Sequence, residues 1–142
     1  MKVPKNIARF ALATFVLFAG IAYGQRPLDA NDLKLYSGVY SPKCTDSTAP
    51  RLRVTGTALT VEHNKKQLAG RSPTSMASYF GQSGPENFQT ALLGDVSANM
   101  VLVFLVYRDK AGQFITLDGH PKVIAALGKQ LAGLKYRRCG RP

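Results

Sequence analysis

The sequence predicts an α+β fold: an antiparallel sheet of about six to seven strands, a short N-terminal helix and one amphipathic helix before the last strand. Three observations support this prediction. Apolar and polar residues alternate in RLRVTGTALTVEH (51–63), eight apolar residues follow one another in MVLVFLVY (100–107), and apolar residues recur at helical spacing in DGHPKVIAALGKQLAG (118–133). We expect one disulfide bond to close this sheet and its helices into a domain.

Residues 1–24 have the features of a secretory signal peptide. Three basic residues come first, an apolar run covers 10–21, and small residues flank Tyr23 in the manner of a cleavage site. The apolar run of about a dozen residues is shorter than the roughly 20 that a membrane-spanning helix needs. We therefore expect cleavage after Gly24, which leaves 25–142 as a single exported domain, periplasmic or secreted, with no transmembrane segment.

The charge of the expected mature chain is strongly positive. The full sequence has 19 Lys and Arg residues against 8 Asp and Glu. The signal segment contains three of the basic residues, so 16 remain against 8 and the net charge is +8. Positive charge attracts acidic or anionic molecules and speeds their association. We expect an acidic protein or an anionic envelope component as partner, and no nucleic acid.

Cys44 and Cys139 are the only cysteines in the sequence. Exported proteins mature in oxidising compartments, and two cysteines allow a single intramolecular pairing. We predict a Cys44–Cys139 disulfide that joins the first strand region to the last. No metal site is expected, because His63 and His120 are isolated and zinc requires clustered ligands. No cofactor-binding motif is present, so no cofactor is expected.

The first elements of the mature chain follow from local signals. LDANDLKLYSG (28–38) predicts a short helix, which the side chain of Asp29 is suited to cap. A strand begins at Val39. The alternating segment 51–63 predicts a hairpin with one apolar and one polar face, turning at Thr-Gly-Thr.

The middle of the chain contains the predicted centre of the sheet. Segment 70–87 is rich in Ser, Gly and Pro, so we expect mostly loop there, with a strand at 75–80. FQTALLGDV (88–96) predicts another strand. The apolar run 100–107 predicts a central strand buried on both faces, because it lacks alternation. A glycine-containing turn then returns the chain into an antiparallel strand.

The last two elements are a helix and a strand. In 118–133, Pro121 suits the first turn of a helix and Gly133 suits its end. Its apolar residues share one stripe, which we expect to cover one face of the sheet. LKYRRC (134–139) alternates again and predicts the final strand.

The candidate binding residues include four arginines. Arg51 and Arg53 share the polar face of their predicted strand, and Arg137 and Arg138 flank Cys139. The predicted disulfide brings the second pair toward the first strand region, which favours one contiguous basic surface. The alternative is a solvated face whose charges serve solubility.

Tyr79 and Phe80 are the candidate aromatic contacts. They adjoin the loop QSGPEN (82–87), and an aromatic pair on a loop held by a sheet is a common recognition device. The alternative is that one of the two rings belongs to the core, since adjacent strand residues face opposite sides.

Enzyme signatures are mostly absent from the sequence. The best catalytic candidate is Asp118 with His120, where the carboxylate would orient the imidazole as a general base. The competing interpretation is structural: Asp118 caps the following helix, and His120 is an ordinary loop residue before Pro121. The structural interpretation is favoured, because capping explains Asp118 without any partner.

These observations favour a small exported binding or inhibitor-type protein that is not an enzyme and whose basic surface meets an acidic or anionic partner. Two alternatives remain open at the level of sequence. One is a small secreted hydrolase that uses Asp118 and His120. The other is an envelope-associated protein that rests on anionic lipid or polymer.

Overall fold

Strands dominate the computed structural model, which describes residues 24–140. The predicted signal peptide lies outside the described residues apart from Gly24. The strands are β1 (Arg26–Pro27), β2 (Gly38–Ser41), β3 (Arg51–Val54), β4 (Ala58–His63), β5 (Lys66–Met76), β6 (Phe88–Ser97), β7 (Met100–Asp109), β8 (Gly112–Gly119) and β9 (Tyr136–Gly140). The helices are α1 (Ala30–Tyr36), α2 (Pro121–Leu127) and α3 (Lys129–Ala132).

The sheet closes on itself, so the predicted α+β class is wrong. Strands β2 to β9 form an eight-stranded antiparallel barrel in which each strand pairs with the next, and β9 pairs with β2. Strand β1 lies outside this ring on β5. Strands account for 53% of the described residues, whereas the helices have 7, 7 and 4 residues. The fold is therefore an up-and-down β-barrel with short helical connections.

The barrel interior is filled by side chains. Alternate residues of the strands point inward, as the pattern of 51–63 predicted, and they form one buried cluster. Its largest members are Tyr40, Phe104 and Tyr136, which have no exposed surface. An eight-stranded barrel is just wide enough for side chains to fill, so the inside is a core.

A second apolar cluster lies on the outer face of β5, β6 and β7. It contains Met76, Ala91, Leu93, Val103 and Leu105, all of them buried. Inward residues of β7 alternate with these outward ones, so the prediction that 100–107 is buried on both faces is confirmed. The strand has no alternation of polarity because both of its faces are covered by apolar neighbours.

The two ends of the barrel carry different helices. α1 begins with the predicted cap: Asp29 accepts a hydrogen bond from the Asp32 amide, and the Asp32 side chain accepts one from the Asp29 amide. α1 lies beside the β3–β4 and β7–β8 turns, at what we call the α1 end. The single helix predicted over 118–133 is wrong, because Gly128, at φ +109°, separates α2 from α3. These two helices lie at the opposite end.

Segment 82–87 lies outside the strands, as predicted, but strand β5 contradicts the loop predicted over 70–74 and ends at Met76, short of the end predicted for the strand at 75–80. It pairs with β4 through Lys66–Arg71 and with β6 through Arg71–Met76. The change of partner occurs at an irregularity where Ser72 has φ +49°. Gly70, two residues earlier, permits a close approach of β5 to β6, because a Cβ there would lie 2.8 Å from the carbonyl oxygen of Gly94 on β6.

The predicted disulfide is confirmed. Cys44 and Cys139 are bonded, with Cα atoms 5.3 Å apart, and they are separated by 95 positions in the sequence. Cys139 belongs to β9 and Cys44 follows β2 by three residues, so the bond lies at the pairing of the first and last barrel strands. Within residues 24–140, no helix is long and apolar enough to cross a membrane.

Candidate anion-binding cleft and aromatic row

A basic cleft of about 430 Å³ lies at the α1 end of the barrel. α1, the β7–β8 turn and β9 form its walls. Its lining residues are Lys34, Leu35, Arg108, Ala111, Gln113, Arg137 and Arg138. Four of these are cations and, of the lining residues in the described chain, none is acidic. The cleft therefore presents positive charge on three elements that are far apart in sequence.

Arg137 is held by a carboxylate at the edge of this cleft. Its Nη1 and Nη2 donate to the two carboxylate oxygens of Asp109 at 2.9 and 2.7 Å, and Nη1 also donates to the Gly112 carbonyl at 3.2 Å. This bidentate pair lowers the pKa of Asp109 to about 2 and raises that of Arg137. One cation of the cleft is thereby compensated, and its guanidinium has a defined position.

Arg138 is positioned by a different set of acceptors. Its Nε and Nη2 donate to the hydroxyl of Tyr40 at 3.2 and 2.8 Å, and Nη2 also donates to the carbonyl of Leu35. Burial raises the pKa of Tyr40, an effect that the hydrogen bond from Arg138 partly opposes. The hydroxyl stays protonated and donates to the Tyr36 carbonyl at 2.7 Å. No carboxylate in the described chain neutralises Arg138.

We predict that Asp109→Asn reduces the acid sensitivity of the protein. A carboxyl whose folded pKa is lowered stabilises the fold above its unfolded pKa of 3.8 and loses that contribution as the pH falls toward about 2. Urea unfolding at a series of pH values should therefore show a flatter profile between about pH 4 and pH 2 for the variant. Parallel profiles for the two proteins would contradict this role of Asp109.

Five aromatic rings form a row that starts at the β5–β6 loop, which lies at the same end of the barrel. In order they are Phe80, Tyr79, Phe88, Tyr107 and Phe114. Neighbouring ring centroids are 5.1, 5.3, 6.0 and 5.2 Å apart, within the range of favourable ring contacts. Residues of β6, β7 and β8 thus extend the pair that the sequence singled out.

Two cations lie over the last ring of this row, and one of them also lines the basic cleft. The Nζ of Lys135 lies 4.6 Å from the ring centroid of Phe114, and the guanidinium carbon of Arg137 lies 5.0 Å from it. Both distances are those of cation–π contacts. Because Arg137 also lines the cleft, the aromatic row, which we define as the five rings above, is continuous with the cleft.

The other two predicted arginines lie elsewhere. Arg51 lines a groove of about 560 Å³ with Lys65, Lys66 and His63, between the 47–49 loop and the β4–β5 turn. Arg53 lies 3.9 Å from Glu62, a carboxylate that also lines this groove. Three of the four predicted arginines therefore line two separate cavities and Arg53 lines neither; of these two cavities, the basic cleft is the one without an acidic lining residue in the described chain.

Asp118 and His120, the candidate catalytic pair, do not form a hydrogen bond with each other in the structure. Asp118 accepts a hydrogen bond from the amide of Gly119 at 2.7 Å, and His120 accepts one through Nδ1 from the amide of Lys122 at 3.2 Å. His120 is the N-cap of α2, so it, rather than Asp118, supplies the cap of this helix. The geometry supports the structural interpretation of both residues.

Lys34 and Arg108 were not recognised as candidates from the sequence. Lys34 lies in the last turn of α1, and Arg108 lies at the end of β7. Both positions are ordinary places for a cation, and nothing in their local sequence indicates a shared site. Only the closure of the barrel brings them beside Arg137 and Arg138.

The fold and the cleft define a small disulfide-linked β-barrel with a basic cleft at one end. Searches with family models, of curated proteins and of solved structures found no significant match to this chain.

Proposed function

We propose that this is an exported, non-catalytic binding protein whose basic cleft holds the anionic group of an acidic protein or of an anionic envelope component. The observation that carries the proposal is the lining of the cleft: Lys34, Arg108, Arg137 and Arg138, with no acidic lining residue in the described chain. The disulfide and the lack of a membrane-spanning helix within residues 24–140 are compatible with export.

The cleft supports binding because two of its guanidinium groups are held in place before a ligand arrives. Arg137 is fixed by Asp109, and Arg138 is fixed by Tyr40 and Leu35. Ordering a long side chain on binding costs free energy, and a group that is already ordered avoids that cost. Lys34 and Arg108 add charge without a carboxylate partner within 4 Å in the described chain.

The hydrolase alternative has less support. It required Asp118 to orient His120 as a general base, whereas each side chain bonds to a backbone amide of its own segment. The envelope-associated alternative shares the basic surface and differs in the source of the anion. Separate probes distinguish these sources, as described in the next subsection.

The test of the basic cleft is calorimetric titration with tripolyphosphate, a compact anion. We expect Lys34→Gln combined with Arg108→Gln to weaken binding about tenfold at about 0.1 M salt, because two uncompensated charges leave the site. The matched control combines Lys122→Gln with Lys129→Gln, which removes the same charge from the exposed helices at the opposite end.

The control variant should bind tripolyphosphate within about twofold of the unmodified protein, because salt screens charges beyond about 10 Å at 0.1 M. Equal weakening by both double variants would show that net charge alone attracts the anion. That result, or the absence of binding to the unmodified protein, would contradict the proposed function.

A further inference from the structure

We propose that the partner of the basic cleft is an acidic polysaccharide chain, whose sugar rings stack along the aromatic row while its carboxylates or other acidic groups enter the cleft. This inference rests on the proposed function and names the chemical class of the partner. Two features carry it: the continuity of the aromatic row with the cleft through Arg137, and the way in which Phe80 is displayed.

Through Arg137, the aromatic row and the basic cleft form one elongated surface that is apolar along the row and positively charged at the cleft. Arg137 lines the cleft and lies over Phe114, the last ring of the row, which is itself buried, so a ligand would meet Arg137 there and the other four rings along the row. Tyr79, Phe88 and Tyr107 are half-buried and hold one another by edge contacts, so they form a stiff surface. At the far end Phe80 is 40% exposed. A ligand that follows this surface needs flat apolar faces in its middle and negative charge at the cleft.

Phe80 occupies a backbone position that its residue type disfavours. Tyr79 and Gln82 exchange two backbone hydrogen bonds of 3.1 and 3.0 Å, and the residues between them, Phe80 and Gly81, have φ +51° and +81°. A two-residue turn with both φ values positive favours Asn or Gly at its first position. A bulky aromatic residue there is strained, and such strain occurs at functional sites. The turn presents an exposed ring at the cost of local stability.

A polysaccharide fits this surface better than the other anionic partners do. The C–H faces of a sugar ring are flat and weakly apolar, so they pack on an aromatic ring while the hydroxyl groups remain in water. An anionic lipid surface favours protruding apolar side chains that insert among acyl chains. Here the middle of the row is half-buried, and the large exposed hydrophobic residues of the described chain are limited to Leu35 and Phe80.

The experiment compares a short oligogalacturonate, which has one carboxylate per sugar, with its methyl ester, which has the same backbone without the charge. We expect calorimetry to show tight binding of the acid and at least tenfold weaker binding of the ester. Phe80→Leu keeps an apolar side chain but removes the ring. It should lower the affinity for the acid form of the oligogalacturonate about tenfold. Phe80→Tyr keeps the ring and should bind oligogalacturonate with an affinity within about twofold of that of the unmodified protein.

Two further measurements separate binding from folding. Phe80→Asn relieves the turn, so its thermal midpoint should lie about 3 °C above that of the unmodified protein while its binding of oligogalacturonate falls. Far-ultraviolet circular dichroism and the urea-unfolding midpoint of Phe80→Leu should match those of the unmodified protein, which shows that the barrel is intact. Unchanged oligogalacturonate affinity in Phe80→Leu would overturn the inference.

The outcomes distinguish this inference from the proposed function. Tripolyphosphate is expected to contact the cleft but not the aromatic row, so Phe80→Leu should leave the affinity for it unchanged. The Lys34 and Arg108 double variant should lower the affinity for both tripolyphosphate and oligogalacturonate. If tripolyphosphate binds as expected and oligogalacturonate does not, the inference fails and the proposed function stands. Binding of anionic phospholipid vesicles that depends on Phe80, without binding of oligogalacturonate, would also overturn the inference in favour of a lipid surface.

Discussion

Replacing Cys44 and Cys139 with serine is expected to lower the free energy of unfolding by as much as about 4.7 kcal/mol, the value that chain entropy assigns to a closed loop of about 100 residues. The native loop spans 95 positions. Its effect should be large because a domain of this size has a net stability of only about 5–15 kcal/mol. Urea unfolding of the purified protein measures the loss.

The position of the disulfide predicts which strands lose protection from hydrogen exchange first when the bond is removed. The disulfide lies beside the β2–β9 pairing, the contact that turns a row of strands into a ring. Without it, amide hydrogen exchange should increase in β2 and β9 before it increases in β7. Reduction of the unmodified protein is the matched control and should reproduce the double variant. Two free thiols in the oxidised mature protein would contradict the bond itself.

Gly94→Val is expected to lower the free energy of unfolding by about 3 kcal/mol. A Cβ at Gly94 would lie 2.7 Å from backbone atoms of Gly70, and backbone at that distance has no flexible end that can move aside. The cost is steric alone, because neither glycine has a positive φ. Urea unfolding gives the change, and the effect should exceed that of Gly94→Ala.

A matched control for this substitution is Gly140→Val. Gly140 is also a strand residue, but a Cβ there meets no atom within 4 Å among the described residues. We expect its free energy of unfolding to stay within about 0.5 kcal/mol of the unmodified protein, as is usual for exposed sites. Similar losses in Gly94→Val and Gly140→Val would show that β-propensity, rather than the contact between β5 and β6, explains the effect.

Local patterns in the sequence predicted most strands correctly. The alternation over 51–63 corresponds to β3 and β4, and the apolar run 100–107 lies within β7. These predictions succeeded because the side-chain period of a strand depends on which face is buried. The capped helix α1 and the final strand β9 were likewise evident from local residue types.

The errors occurred at a distant contact that overrides local preference and at a glycine whose backbone conformation the pattern did not reveal. Segment 70–76 is rich in Ser, Gly and Pro, yet it is the second half of β5 because β6 pairs with it. Gly70 reads as a loop residue in sequence, and in the structure it permits a close backbone contact with Gly94. Gly128 was read as part of a continuous helix, although its positive φ divides that helix in two.

In the candidate site, likewise, the sequence indicated some of the residues but not their arrangement in space. Arg137, Arg138, Tyr79 and Phe80 were recognisable from residue type and from their neighbours in sequence. Their relationship was not, because it depends on the ring of strands that places the β5–β6 loop, the β7–β8 turn and α1 at one end. Lys34 and Arg108 had no local signal at all.

The amino-acid sequence by itself determined the period of most strands, the capping of α1, the pairing of Cys44 with Cys139 and the excess of positive charge. Each of these depends on neighbouring residues or on composition. The tertiary structure alone decided that the sheet closes, that one cation is compensated by Asp109, and that an aromatic row leads to the basic cleft. These features depend on which distant strands pair, and pairing is settled by the packing of one shared core rather than by any segment.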